Sequence, residues 1–301
     1  MDSAPQRLNR TVNQSADDYF VKRAMPSPMT LFFINLPHED LGSVAECRMN
    51  VKKANMVIRS GNRQLPDGST QFLGLPYGMK ARRILLSVFT QMHQAAMADQ
   101  PLIWIPIGKS SSGFLRQLGY ESASSFSSSN GKLANNQLQR LVACEFAVEE
   151  RDERGVISSF VESMKRHFNF KDMHPFWDVE PYEGQNCIFR NYDYPFNLAL
   201  PVSYEQAHQM NARCLSWDVY VFLADMLHRV PEDVASQDMP WTTVEKCFGN
   251  TYKDLKHFRE NFKKALANVK KVYPAVETGV DATRSDVLIL KRTPSPVAHP
   301  K

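Results

Sequence analysis

The segment from Trp241 to Pro274, WTTVEKCFGNTYKDLKHFRENFKKALANVKKVYP, leaves few options for how this part of the chain can fold. A short helix signal over residues 242–248 stops at Gly249. A long amphipathic helix is expected over residues 252–272, ending against Pro274, which has no N–H to continue it. Leu255, Phe258, Phe262, Leu266, Val269 and Tyr273 recur at i+3/i+4 spacing and so share one face. The other face carries Lys253, Lys256, His257, Lys263, Lys264, Lys270 and Lys271. From Lys253 to Lys271, seven Lys/Arg residues stand against Asp254 and Glu260, while the whole chain balances at only +4. Short helix, tight turn and second helix with a basic outer face are the signature of a helix-turn-helix. A solvated surface helix carries the same charge run, with Glu260 and Lys264 as an i,i+4 pair. The rest of the chain has to decide between the two.

At 301 residues the chain suits two domains, each able to bury its own core. With 43% hydrophobic and 23% charged residues it is an ordinary globular sequence. Its mildly basic balance permits a nucleic-acid partner without demanding one. No apolar stretch approaches a membrane span, and the start MDSAPQRLNR lacks the apolar core of a signal peptide, so the expected compartment is the cytoplasm, with no membrane partner. The five cysteines, Cys47, Cys144, Cys187, Cys214 and Cys247, are scattered and show no CxxC or zinc spacing. Buried free thiols are expected, with no metal and no cofactor.

Residues 1–65 are polar and are treated as a variable amino-terminal segment. Its apolar run at residues 31–36 reads as a strand, as does the stretch 55–59, and Arg7, Arg10, Lys22 and Arg23 belong either to a basic arm or to a loosely ordered terminus. Residues 66–194 then read as helix, strand, helix, helix and hairpin. A helix over 79–97 has a stripe of Ile84, Leu85, Val88, Phe89 and Met92, with Lys80, Arg82 and Arg83 in its first turn. A strand follows at 103–107 and a helix at 110–118, ended by Gly119. After the serine-rich stretch 122–129 comes a helix at 133–142, whose polar side shows Lys132, Asn135, Asn136, Gln139 and Arg140. The hairpin pairs 146–149 with 155–161 about RDER.

The order recurs in residues 195–292: a helix at 216–229, a strand at 239–241, the two helices of the opening segment, and a hairpin of 275–277 with 286–290. The predicted fold class is α+β, mainly α, with two tandem winged-helix domains bearing β-hairpin wings. They are joined through an aromatic and proline-dotted segment at 182–201, and residues 293–301 are expected to be a disordered tail.

The sequence offers little catalytic chemistry. GKS at Gly108–Ser110 fails as a P-loop, because Ile103 stands where the first glycine is required. An origin nickase needs a metal-binding histidine pair about an apolar residue; His167 and His174 are not so spaced, nor is any other pair of the eight histidines. His93 and His208 read as surface or packed helix residues. No GxSxG occurs. The chain is expected not to be an enzyme.

GLPYGMKARRILLSVFTQ, FLRQLGY and LANNQLQRLVACEF resemble the carboxy-terminal region of RepA-type plasmid replication initiators, which opens on G-[LV]-P-Y-G and continues through an F-x-x-x-L-G motif. LSWDVYVFLADMLHRV, MPWTTVEKCFG and HFRENFKKALANVKKVYPAVE extend the resemblance, which runs from Leu73 to Val297 with its motifs in order. The resemblance implies a bacterial initiator that binds repeated sites (iterons) in double-stranded origin DNA, helps open the adjacent duplex, and recruits the host initiator ATPase and the replicative helicase. It also implies a protein able to form a homodimer in autoregulation and copy control. A winged-helix transcriptional repressor is the alternative, and an origin nickase a more distant one.

In such a protein each recognition helix enters a major groove by its amino-terminal turn. The residues this brings to DNA are Asn250, Thr251, Tyr252, Lys253, Lys256 and His257 in the second domain, and Lys132, Asn135, Asn136, Gln139 and Arg140 in the first. Lys263, Lys264, Lys270 and Lys271 would meet phosphates or solvent, and Arg284, Lys291 and Arg292 would line the second wing. Trp217, Phe258 and Phe262 read as core.

Overall fold

The computed structural model describes residues 6–11, 26, 28–51, 54–65, 67–97, 104–108, 110–121, 128–152, 155–163, 186–189, 202–210, 213–249 and 252–297. The chain divides into two compact units. The first holds residues 1–9, 37–48 and 53–197, and the second holds 10–36, 49–52 and 198–301. The amino-terminal region is therefore shared between both. It supplies β1 (Gln6–Thr11), α1 (Pro28–Asn35), β2 (Val44–Val51), β3 (Ala54–Arg59) and the hairpin strands β4 (Asn62–Gln64) and β5 (Thr70–Phe72). The 55–59 strand is as expected, but the apolar run at 31–36 is helical rather than extended. Leu31, Phe32, Phe33, Ile34 and Leu36 are all buried, and an unbroken apolar run cannot distinguish a buried strand from a buried helix.

In the first unit, α2 (Gly78–Met97), β6 (Trp104–Gly108), α3 (Ser111–Gln117), α4 (Ser128–Ala143), β7 (Glu145–Asp152), β8 (Gly155–Ser163) and β9 (Asn186–Phe189) follow in order. Ile84, Leu85 and Val88 of α2 are buried as the stripe predicts, Phe89 is half-buried, and the side chain of Met92 lies outside the described residues. Arg82 and Arg83 are buried too, because each satisfies backbone carbonyls. Arg82 donates to Pro37 O at 3.2 Å, and Arg83 to Leu118 O at 3.0 Å, just past the end of α3. The serine at position 110 caps α3, accepting from Gly113 N at 3.1 Å. Gly61 allows a close approach: a Cβ there would lie 1.9 Å from the Ala143 carbonyl oxygen at the end of α4.

The hairpin forms where expected, with β7 and β8 antiparallel from Glu145↔Ser163 to Asp152↔Gly155. It does not stand alone. β3 pairs antiparallel with β7, from Ala54↔Glu150 to Arg59↔Glu145, within a five-stranded sheet of order β1-β2-β3-β7-β8. Arg59 ties three strands together, bonding Glu46 of β2 at 2.8 Å and Glu145 of β7 at 2.5 Å. β6 pairs instead with β9, within the segment 182–201 expected to join the two domains. The fold is mixed α and β as anticipated, with more strand than a mainly helical class implies.

The second unit is built on α6 (Cys214–His228), preceded by α5 (Tyr204–Gln209). Every residue from Ser216 to Leu227 is buried, which marks a central helix rather than a surface one. Then come β10 (Gln237–Pro240), α7 (Trp241–Cys247), α8 (Leu255–Val272), the single turn α9 (Val276–Gly279), β11 (Val280–Asp281) and β12 (Val287–Leu290). The three strands form a sheet of order β10-β12-β11, all antiparallel. α1 belongs to this core: Asn35 Nδ2 donates to Cys247 O at 2.8 Å.

Three boundaries differ from expectation. α8 begins at Leu255, not 252, because Asp254 is its N-cap and accepts from His257 N at 2.7 Å. Residues 275–277 are not a strand. Glu277 N bonds Pro274 O at 2.9 Å and closes a helical turn, so the hairpin starts at Val280. The expected tail is ordered at its start: the Tyr273 hydroxyl donates to Pro294 O at 2.6 Å and Thr293 is buried.

Cys47, Cys144 and Cys247 are buried and Cys214 is half-buried, and none of the four is in a disulfide; burial pushes the Cys144 and Cys247 thiols up to about 12. The side chain of Cys187 lies outside the described residues. Among the described residues no helix is long and apolar enough to cross a membrane, and no group of three His, Cys, Asp or Glu residues could hold a metal ion.

Candidate nucleic-acid interface

The α7–turn–α8 pair is held by aromatic packing. Trp241, Phe248, Phe258 and Phe262 pack with ring centroids 5.3–6.4 Å apart, mostly tilted or edge-to-face. Phe258 and Phe262 are fully buried, so truncation of either costs about 3–5 kcal/mol. Phe248 is the C-cap of α7, and Gly249, at φ +80, supplies the left-handed residue that the turn requires.

Burial of one α8 face fixes what the other presents. Lys256, His257, Lys263, Lys264 and Lys271 are exposed along the helix, and Lys253 is exposed in the turn before it. Lys270 is half-buried and pairs with Glu277 at 3.0 Å. Tyr252 is packed 5.2 Å from the Phe258 ring, and its hydroxyl is pushed up to about 12, by burial first and by Asp218 second. Asn250 and Thr251 lie outside the described residues.

Three further cations lie beyond α8. Arg284 sits exposed in the turn between β11 and β12, and its carbonyl accepts from Trp241 Nε1 at 3.1 Å and from Arg259 at 3.4 Å. Lys291 follows β12 and is exposed. Arg292 is committed within the fold, donating to His228 O at 2.7 Å and Val230 O at 2.8 Å and pairing with Glu232 at 2.9 Å.

The corresponding helix of the first unit presents much less charge. Lys132 is exposed. Asn135 is half-buried, with its Oδ1 buried and without a partner among the described residues. Asn136 accepts from Gln137 Nε2 at 3.3 Å, and Gln139 accepts from Arg63 at 3.4 Å. Arg140 is engaged internally: it bonds both oxygens of Asp40, at 2.8 and 3.0 Å, donates to Leu75 O at 3.0 Å, and stacks 4.9 Å over the Tyr77 ring. Its hydrogen bond holds the Asp40 carboxyl below the usual carboxylate value.

Two cations not singled out in the sequence belong with this surface, one on α8 and one beside it. Arg259 lies 5.6 Å over the Trp241 ring, on the flank toward the Arg284 turn. Its position three residues after Lys256 and four before Lys263 was the available signal. Arg213, at the start of α6, lines a cavity with Lys264 and Lys271, and sequence distance concealed it.

Comparison with known protein families matches residues 75–243 to the family described as plasmid encoded RepA protein, a span of more than half the chain that includes α2, α6 and the start of α7. Among curated proteins, none matches. Similar solved structures include a selenomethionyl crystal structure of domains 2 and 3 of RctB, at 12% identity and TM-score 0.49, covering 90% of this chain and 100% of that one. A second RctB crystal structure of domains 2-3 gives 10% identity and TM-score 0.45, over 88% and 97% of the two chains. On the extent of the family match, the chain belongs to the family of plasmid-encoded RepA proteins.

Proposed function

We propose that this protein is a plasmid replication initiator that binds repeated sites in origin DNA through two winged-helix modules. Membership of the RepA family supports the initiator reading. The observation that carries DNA binding is the exposed row Lys253, Lys256, Lys263, Lys264 and Lys271, without ion-pair partners among the described residues and held outward because the opposite face of α8 is locked into the core. The order α6, β10, α7, α8, β11, β12, with the single turn α9 before β11, supports a winged helix; α2, β6, α3, α4, β7, β8 follow a similar order, although β6 pairs with β9 and not with the β7–β8 hairpin.

In this reading the first turn of α8 enters a major groove, with Lys256 and His257 nearest the base edges, where a lysine pairs with guanine O6 or N7. Lys263, Lys264 and Lys271 neutralise phosphates, and Arg284 reaches the flanking backbone from the hairpin turn. The first unit contributes less of the phosphate term, because Lys132 is exposed while Arg140 is occupied by Asp40. Opening of the adjacent duplex, recruitment of host initiator ATPase and helicase, and formation of a homodimer extend the same proposal.

Footprinting the intact protein on the DNA flanking its gene tests this. Protection of regularly spaced repeats, together with support of replication from that segment, is expected. Protection of a promoter site alone, with no replication, identifies a repressor instead.

A further inference from the structure

The flank of α8 opposite Arg259 forms, with the end of α5 and the start of α6, a cavity of about 430 Å³. That volume suits a small organic ligand and exceeds what a bare ion needs. Three cations line it: Arg213 from the N-cap of α6, and Lys264 and Lys271 from α8. The two lysines are seven residues apart, two helical turns along one side, or about 10 Å. No aspartate or glutamate lines the cavity, and none of the three cations has a carboxylate partner among the described residues. α6 adds to the field. It has no acidic residue in its first turn and no side-chain cap, so its positive dipole end adds to the field where Arg213 and Ser216 line the cavity. Asn268 donates to Ser216 Oγ at 3.3 Å and fixes the two helices against each other there. Met210 contributes an apolar wall.

Three like charges gathered about one concavity repel one another, and nothing in the described fold neutralises them. An anion does. We propose that this cavity is a phosphoester site, taking the phosphate of one nucleotide unit between Arg213, Lys264 and Lys271. Arg213 supplies the planar fork that matches phosphate oxygens, and the lysines supply point charge. Two sources share this chemistry: a backbone phosphate of bound DNA and a free mononucleotide. The first rests on the DNA-binding reading given above; the second stands without it.

The test uses the full chain at constant ionic strength. Binding of inorganic phosphate and of a 5′-mononucleotide is measured by calorimetry, and duplex origin DNA is titrated over a series of salt concentrations. Arg213 and Lys264 are exposed, so Arg213→Ala and Lys264→Ala leave the core intact; unchanged melting temperatures verify this. Each variant is expected to weaken phosphate binding about tenfold, the loss of one charge-assisted contact. Lys246→Ala, on α7 and outside the cavity, leaves phosphate binding unchanged.

A duplex affinity that falls in the Arg213 and Lys264 variants, with a salt slope about one unit shallower, identifies the occupant as a DNA phosphate. Loss of mononucleotide binding with duplex binding intact identifies it as the free ligand. Phosphate binding that is absent, or indifferent to both variants, alongside unchanged duplex binding, overturns the proposal. So does an acidic peptide that binds through Arg213 and Lys264 when phosphate does not. If Lys256 and Lys263 variants bind DNA normally while the cavity variants lose phosphate, the recognition-helix reading fails and the cavity stands.

Discussion

The indole N–H of Trp241 donates to the backbone carbonyl of Arg284 at 3.1 Å, joining the first residue of α7 to the turn between β11 and β12. The Trp241 backbone N–H adds a bond to Asp286 O at 3.0 Å, and Arg259 covers the same indole. The hairpin tip and the helix pair are thereby one mechanical piece. Trp241→Phe keeps a ring in the core and removes the donor, so it is expected to cost about 1 kcal/mol. Trp241→Ala should cost about 3–5 kcal/mol. Denaturant unfolding of both variants measures these losses, and an unchanged Trp241→Phe midpoint removes the indole bond from the account.

Lys256→Ala and Lys263→Ala remove charge from the exposed face of α8 without touching its buried residues. Both should weaken DNA binding at an unchanged melting temperature. Lys263→Ala should weaken all sequences alike and flatten the salt dependence by about one unit, as a lost phosphate contact does. Unaltered affinity in both variants makes α8 an ordinary solvated surface.

The Asp40–Arg140 pair makes a pH-dependent contribution of known sign. The folded carboxyl is held below its ordinary value, so the unfolded chain binds a proton more readily. The contribution is therefore complete above about pH 4 and is lost as pH falls through the lowered folded value. Asp40→Asn should lower the melting temperature at neutral pH, and the difference from the parent should shrink in acid. A difference that persists unchanged in strong acid assigns the effect to something other than the ion pair.

α1 is part of the second unit, so a fragment of residues 195–301 lacks Phe32, Phe33, Ile34 and Asn35, all buried. That fragment should be markedly less stable than the unit within the full chain. Supplying residues 28–36 as a peptide should raise its melting temperature. Equal stability with and without the peptide makes α1 a passive passenger.

The protein is predicted to leave supercoiled origin DNA uncut and to hydrolyse no nucleotide, since Ile103 breaks the P-loop pattern and the histidine spacing of a nickase is missing. Incubation of purified protein with origin plasmid, divalent metal and nucleoside triphosphate checks this; metal-dependent nicking assigns it to a different class of protein.

The sequence by itself determined the elements whose period is long and whose ends are chemically marked. Phe258, Phe262, Leu266 and Val269 could form only one buried stripe, Gly249 and Pro274 bounded the segment, and a basic face followed by exclusion. The β7–β8 hairpin was legible for the same reason, as strands about a charged turn. Tertiary structure decided what local pattern leaves degenerate. The run at 31–36 became a helix because its partners surround it, and β3 joined β7 across nearly ninety residues of sequence, a pairing no local period encodes. It also sorted identical charges into different duties. Arg140 and Lys263 are both polar-face cations on helices, yet Arg140 meets Asp40 and Tyr77 while Lys263 faces solvent. Arg213 entered the company of Lys264 and Lys271 only when α6 packed along α8. Periodicity states which face of a helix is polar. Which polar groups find partners depends on what else the fold brings within a few ångströms.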